Sequence, residues 1–319
     1  MTADDTYEDN TSRGVTLIVG AVFLLALADA LVKYLSASIT LWQLYVLGSS
    51  VSLPTLAGLI IAQRKTRPLS LISWRWVGIR SLLLLLMWMA YYMALPLIPL
   101  SVAAVAIYTT PLFIAILASM GSHEPLSPRI WGGILCGFVG VVVVLRPTDD
   151  AFTPATLLPV LAAVLYALAM VATRRYCQKE HPLTLALGLN LAFLVAGGCF
   201  SVLLAFADTS SLAEQAPFLF APWQPIGIDE LIIIAAYALL MVTVNTSVAK
   251  AYQIAPPALV GTFDYAYLLF AGLWGYLLFH EIPDGMTWLG MSLILASGLL
   301  VLRHTALVKP GVSPVDTHH

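Results

Sequence analysis

YMALPLIPLSVAAVAIYTTPLFIAILASMGSHEPLSPRIWGGILCGFVGVVVVLR, residues 92–146, decides the fold, because the chain holds this stretch twice. It runs from the foot of one apolar helix through the link Pro96-Leu97-Ile98-Pro99 and along a second helix. It then passes His123-Glu124-Pro125 and enters a third helix that ends at Arg146. A shift of 157 positions (280 minus 123) carries Pro99 onto Pro256, Tyr108 onto Tyr265 and His123-Glu124 onto His280-Glu281. The same shift carries Trp131 onto Trp288, Gly133 onto Gly290 and Arg146 onto Arg303, with no insertion or deletion. In a chain of 319 residues, an offset near half the length marks one internal duplication.

The composition names the solvent. The chain is 60% hydrophobic and 10% charged, with a mean hydropathy of +0.90. A soluble domain carries roughly 25% charged residues. This chain cannot clothe a water-facing surface, so lipid surrounds most of its side chains. The net charge is −2 and no long basic run occurs, which excludes nucleic acid as a partner. The three cysteines, Cys136, Cys177 and Cys199, lack metal-ligand spacing and read as small buried thiols. His-Glu occurs twice without a second His at i+4, so no metal site is expected, and each Glu reads as a turn or cap residue. No Gly-x-x-x-x-Gly-Lys phosphate loop appears, so nucleotide hydrolysis is not the source of power, and no cofactor is expected.

Ten apolar segments can be counted, near 14–36, 41–62, 75–95, 99–120, 129–146, 155–175, 183–207, 229–252, 256–279 and 285–303. Each is close to the ~20 residues that a bilayer core requires. Backbone polar groups in lipid must be satisfied within each segment, so the segments are helices. The fifth contains four consecutive valines, yet its glycines at 133, 137 and 140 favour a packed helix over a strand. The first is too long for a secretory leader and reads as a retained span. With the N-terminus inside, thirteen of the fifteen Lys and Arg residues fall on or near the cytoplasmic side, leaving Lys33 and Arg146 outside. The link from Asp208 to Glu230 is then external. It carries four carboxylates, no Lys or Arg, and Pro217, Pro222, Trp223 and Pro225, which suggests a segment lying in the membrane interface. Five spans per half is an odd number, so the second half is inverted relative to the first. The expected organisation is a polar tail over 1–13, a first five-helix repeat over 14–146, a second, inverted one over 147–303 and a tail over 304–319, both tails cytoplasmic.

The residues now carry a resemblance. Ala94-Leu95 with Pro99 and Pro111 around the fourth helix, a Glu after the fourth helix of each half (Glu124, Glu281), and Asp264-Tyr265 in the ninth resemble the ten-helix EamA branch of the drug/metabolite transporter superfamily. The likeness covers nearly the whole chain. Asp29-Ala-Leu-Val-Lys33-Tyr34 in the first helix is similar to the subset that includes S-adenosylmethionine and riboflavin carriers. The resemblance implies a central cavity ringed by spans one to four and six to nine, with five and ten outside it, in a bacterial inner membrane. It also implies an Arg in the second helix, where this chain has Gly48.

An ionisable group near the middle of a span costs about 2.5–3.5 kcal/mol and is a functional candidate by default. Asp29 lies about 22 Å along the first helix. Lys33 is at i+4 on the same face. Two readings stay open: a self-neutralising Asp29–Lys33 pair with Lys33 snorkelling outward, or an Asp29 that faces the cavity and is tuned by Lys33. Asp264 has no charged neighbour at i±3 or i±4 and shares a face with Gly261, Leu268, Ala271, Gly272 and Gly275. Small residues on that face point into the bundle. Trp88, Tyr92, Tyr108 and Tyr265 lie deep enough to wall a flat or cationic ligand. Trp42, Trp74, Trp76 and Trp223, near span ends, read as interface anchors. Asn190 and Asn245 read as interhelical hydrogen bonders.

These observations predict an all-α polytopic membrane protein of ten transmembrane helices in two inverted repeats. Its expected work is alternating-access transport of a small organic metabolite that is cationic, zwitterionic or aromatic, with Asp29, Lys33, Trp88, Tyr92, Tyr108, Asp264 and Tyr265 as the substrate site. The expected partners are the lipid bilayer and that small molecule. Proton coupling and a homodimer are both compatible with the pattern. The alternative is an intramembrane enzyme or a non-transporting scaffold. An enzyme requires a nucleophile–base set that the spans do not offer.

Overall fold

The computed structural model describes residues 11–63, 73–110, 113, 116, 117, 128–145, 153–177, 180–254, 263 and 266–307. All regular structure among them is helical. The long helices are α1 (Thr11–Leu35), α2 (Leu41–Gln63), α3 (Trp74–Ala94), α4 (Leu100–Ile107), α5 (Pro128–Leu145), α6 (Leu157–Tyr176) and α7 (Pro182–Phe206). Two short helices, α8 (Ser210–Gln215) and α9 (Pro217–Phe220), precede α10 (Ile228–Ile254), α11 (Ala266–Phe279) and α12 (Gly285–Leu307). Six of these, α1, α2, α3, α6, α7 and α10, are long and apolar enough to cross a membrane. Helix also fills the described parts of the other four expected spans, α4, α5, α11 and α12. The outward faces are apolar: Leu82, Leu86, Phe138, Val139, Leu269 and Leu273 are all exposed. That is the surface a bilayer solvates.

The packing follows the duplication helix by helix. Pairing each helix with its counterpart in the other half relates α1 to α6, α3 to α10 and α4 to α11. Helix α1 packs on α10, and α6 packs on α3. Helix α1 also packs on α11, and α6 on α4, while α2 meets α10 as α7 meets α3. The remaining large contacts, α2 with α7, α4 with α11 and α5 with α12, each join a helix to its own counterpart. The two repeats therefore interlock in one bundle, with the helices of each half packed mainly on those of the other.

Helices α5 and α12 lie together along their length. The Cys136 thiol donates to the Leu293 carbonyl oxygen at 3.6 Å, and the two positions are 157 apart. Residues related by a two-fold axis meet where that axis passes, so it runs between these helices. Gly137, Gly140 and Gly290 are buried there, as expected for small residues that let helices approach. Of the other cysteines, Cys177 is buried, whereas Cys199 is exposed on α7, contrary to the buried-thiol expectation.

The connection from Asp208 to Glu230, expected to lie in the membrane interface, is docked on the bundle. Phe218 and Leu219 of α9 are buried, and the Trp42 indole N–H donates to the Leu219 carbonyl at 2.8 Å. The Gln43 amide donates to Gln224 O at 2.8 Å and accepts from Gln224 N at 3.2 Å. Trp42 is 5% exposed and stacks on Phe200 at 4.1 Å, so it docks the connection onto α2 and does not anchor in the lipid interface. Trp74 and Trp223 are exposed, as anchors are. Gly197 explains how closely α7 approaches α2. A Cβ there would stand 2.8 Å from Trp42 O and 2.9 Å from Val46 Cγ2.

Candidate functional site

Among the described residues, three groups of polar side chains bear on the site. The first surrounds Asp29, which is 1% exposed on the inner face of α1. On α3, Trp88, Tyr91 and Tyr92 fall at i, i+3 and i+4, one stripe of a helix. Helix α11 contributes Tyr267, whose hydroxyl donates to Asp29 Oδ2 at 2.5 Å. That hydroxyl also shares a hydrogen bond with Tyr91 OH at 2.7 Å. Tyr92 OH pairs with Tyr237 OH of α10 at 3.0 Å. Tyr108 stacks on the Tyr267 ring at 5.0 Å, and Trp88 lies 4.9 Å from the Tyr92 ring. Among the described residues, Asp29 Oδ1 has no hydrogen-bond partner.

This arrangement corrects the local ion pair. Lys33 does not pair with Asp29. It reaches outward, as a snorkelling Lys does, and meets Glu281 Oε1 at 2.6 Å and Ile98 O at 2.7 Å. The other carboxylate oxygen, Glu281 Oε2, accepts from the Leu100 backbone N–H at 2.9 Å, which caps the start of α4. Glu281 is a cap residue as expected, but it caps a helix from the other half. Its position is set by the αL turn that ends α11: His280 takes φ 55° and its N–H donates to Tyr276 O at 3.0 Å, while Glu281 N donates to Gly275 O at 3.2 Å. The second group is thus a tie of α1, α4 and α11 at one end of the bundle, with both charged side chains mostly buried, at 12% and 20% exposure.

The third group lines a narrow cleft between α2, α7 and α10. Tyr45, Gly48, Ser49 and Ser52 form one wall, at i, i+3, i+4 and i+7 on α2. Helix α10 supplies Tyr237, Met241 and Asn245 at i, i+4 and i+8, and α7 supplies Leu189, Asn190 and Phe193. The Tyr45 and Phe193 rings stack at 4.6 Å. Among the described residues, the hydroxyls of Tyr45 and Ser49 have no hydrogen-bond partner, and both residues are only 2% exposed. A buried polar group without a partner costs about 1–3 kcal/mol unless something else satisfies it. Among the described residues that line the cleft, none carries a formal charge.

Of the seven residues expected in the substrate site, Asp29, Trp88, Tyr92 and Tyr108 come together, and Lys33 sits apart in the tie. Asp264 and Tyr265 lie outside the described residues. Tyr91, Tyr237 and Tyr267 join the cluster, although the sequence did not single them out. The cleft went unseen. Its signal was a helical stripe of small and hydroxylated residues on α2, together with the mid-span amides. Among the described residues, Asn190 donates to Ala186 O of its own helix at 3.0 Å, where an interhelical bond was expected.

The family model for the EamA-like transporter family matches twice, over residues 12–146 and 153–303. A riboflavin transporter of Rhizobium johnstonii (strain DSM 114642 / LMG 32736 / 3841) is 31% identical over 84% of this chain and 82% of its own length. An S-adenosylmethionine uptake transporter of Rickettsia prowazekii (strain Madrid E) is 27% identical over 70% of each chain. A protein crystal structure superposes with a TM-score of 0.63 at 21% identity, over 94% of this chain and 100% of the other, which is a likeness of fold.

Proposed function

We propose, from the premise that the chain belongs to the EamA-like transporter family and carries a small metabolite across a membrane, that its cargo is a neutral planar heteroaromatic of the flavin class, bound in the α2–α7–α10 cleft. The observation that carries this reading is the pair of buried, unpartnered hydroxyls, Tyr45 OH and Ser49 Oγ, beside the stacked Tyr45 and Phe193 rings. A flat ring with carbonyl and N–H groups along one edge offers both a stacking face and the missing hydrogen bonds. The cleft joins helices from both repeats, which is where carriers of duplicated fold hold their cargo.

The lining favours a flavin over the cationic or zwitterionic cargo first expected. S-adenosylmethionine brings a sulfonium, an ammonium and a carboxylate, and the described lining of the cleft offers none of them a counter-charge. In proteoliposomes, riboflavin is expected to exchange across the bilayer, and S-adenosylmethionine is expected to compete poorly. Absence of riboflavin uptake, or equal competition, ends this reading.

The orientation adopted puts both termini in the cytoplasm of a bacterial inner membrane. It rests on thirteen of fifteen basic residues falling inside. A cysteine placed at Ser211 is expected to react with an impermeant maleimide from outside the cell, and one at Thr66 only after the cells are opened. Labelling of both from the same side would reject this topology. In this orientation the Lys33–Glu281 tie closes the outer end. With no phosphate loop in the chain, the driving force is an ion or cargo gradient, and a proton gradient is the one adopted.

A further inference from the structure

The Asp29 cluster is one hydroxyl away from the cleft. Tyr237 lines the cleft and bonds to Tyr92 at 3.0 Å. The Tyr92 hydroxyl also faces Asp29, as does that of Tyr91. Among the described residues, the ionisable groups facing Asp29 are phenols on each element packed around it: Tyr91 and Tyr92 from α3, Tyr237 from α10 and Tyr267 from α11. Lys33, one turn along α1, is turned away into the tie with Glu281. Asp29 is thus a buried carboxyl with no counter-cation among the described residues, one oxygen held by Tyr267 and the other without a partner.

A phenolic hydroxyl both donates and accepts, so the Tyr92–Tyr237 bond can run in either direction. Resting on the flavin reading above, we propose that Asp29 is a proton site, and that the Tyr92–Tyr237 pair conveys its protonation to the cargo cleft as the direction of a hydrogen bond. With the proton on Asp29, Oδ1–H donates to Tyr92, Tyr92 donates to Tyr237, and the Tyr237 O–H is left to donate into the cleft. Once Asp29 releases its proton to water on the side to which the carrier is open, Tyr92 turns its O–H to the carboxylate. Tyr237 then donates to Tyr92 and presents only lone pairs to the cargo. The O–H bond of Asp29 is the one bond made or broken; every other change is a hydroxyl rotation. Flavin carbonyl and imine edges accept hydrogen bonds, so the protonated carrier is the form that binds them. Linkage is reciprocal, so bound flavin also holds the proton. Cargo and proton then travel together.

The test is riboflavin binding, read by quenching of flavin fluorescence on the full chain in nanodiscs across a range of pH. In the parent, affinity is expected to fall as pH rises, with a limiting slope of about tenfold per pH unit for one linked proton. The total loss expected for one donor is about ten- to a hundredfold. In Asp29→Asn and in Tyr92→Phe, each checked for a parental melting transition, the pH dependence is expected to vanish. A flat parent profile, or a folded Asp29→Asn that keeps the slope, overturns the proposal. If the parent binds no riboflavin at any pH, the cargo reading falls, and Asp29 is judged without cargo by pH-difference infrared spectroscopy. A carboxylic-acid C=O band that titrates in the parent, is lost in Asp29→Asn and moves in Tyr92→Phe upholds the proton relay. A missing or unmoved band removes it.

Discussion

Gly48→Trp is expected to abolish riboflavin exchange, with a loss of more than about a hundredfold, while the protein still folds. The reason is steric. A Cβ at position 48 would rest 3.5 Å from Tyr237 Cε1, an ordinary contact, so the backbone tolerates a side chain there. Anything longer grows into the space between Tyr45, Ser49 and Tyr237. A graded series follows: Ala lowers exchange a few-fold, Val further, and Trp fills the cleft. Overpacking a closed core costs about 1–3 kcal/mol. Ala at this position makes only that ordinary contact, so its melting temperature should stay at the parental value while exchange falls. Parental exchange by a folded Gly48→Trp would place the cargo elsewhere. The resemblance to the superfamily led us to expect an Arg at this position. The structure shows what its absence provides, a neutral gap beside two unsatisfied hydroxyls.

The second large effect belongs to the tie. Lys33→Ala and Glu281→Ala should each leave a mostly buried charge without its partner. An exposed ion pair contributes about 0–1 kcal/mol, and breaking a fully buried one costs 3–5 kcal/mol. At 12% and 20% exposure this pair falls between those limits, and loss of the Glu281 cap on Leu100 adds about 1 kcal/mol. Removal of Glu281 should therefore weaken closure by about 2–3 kcal/mol, which is more than removal of Lys33. A cysteine introduced at Leu97, beside the tie, should then react faster from outside, and net uptake should fall by about tenfold or more because the outer end no longer stays shut. Exchanging the charges, Lys33→Glu with Glu281→Lys, restores the ion pair but leaves the Leu100 N–H without an acceptor, so recovery should be partial. Unchanged reactivity and uptake in Glu281→Ala would show that the tie is not a closure.

The sequence by itself determined the architecture, and the reason is physical. A chain with one charged residue in ten has lipid for a solvent, and lipid forces each long apolar run to satisfy its own backbone, hence helices. The 157-residue offset then required two equivalent halves, and the packing of α1 on α10 and of α6 on α3 is that duplication realised. Composition and repetition act on whole segments, so they are legible without knowing which helix faces which. The functional residues depended on that missing knowledge. Asp29 and Lys33 sit at i and i+4, and a helix read alone pairs them. The tertiary structure sends them to partners 238 and 248 positions away, Tyr267 and Glu281. These partners win because they complete what a local pair leaves open. Glu281 satisfies Lys33 and the orphan N–H of α4 together, and Tyr267 gives a buried carboxylate a donor. The stripe of Tyr45, Gly48, Ser49 and Ser52 was visible as a spacing, but only the approach of α7 and α10 turned it into a cleft with hydroxyls to fill.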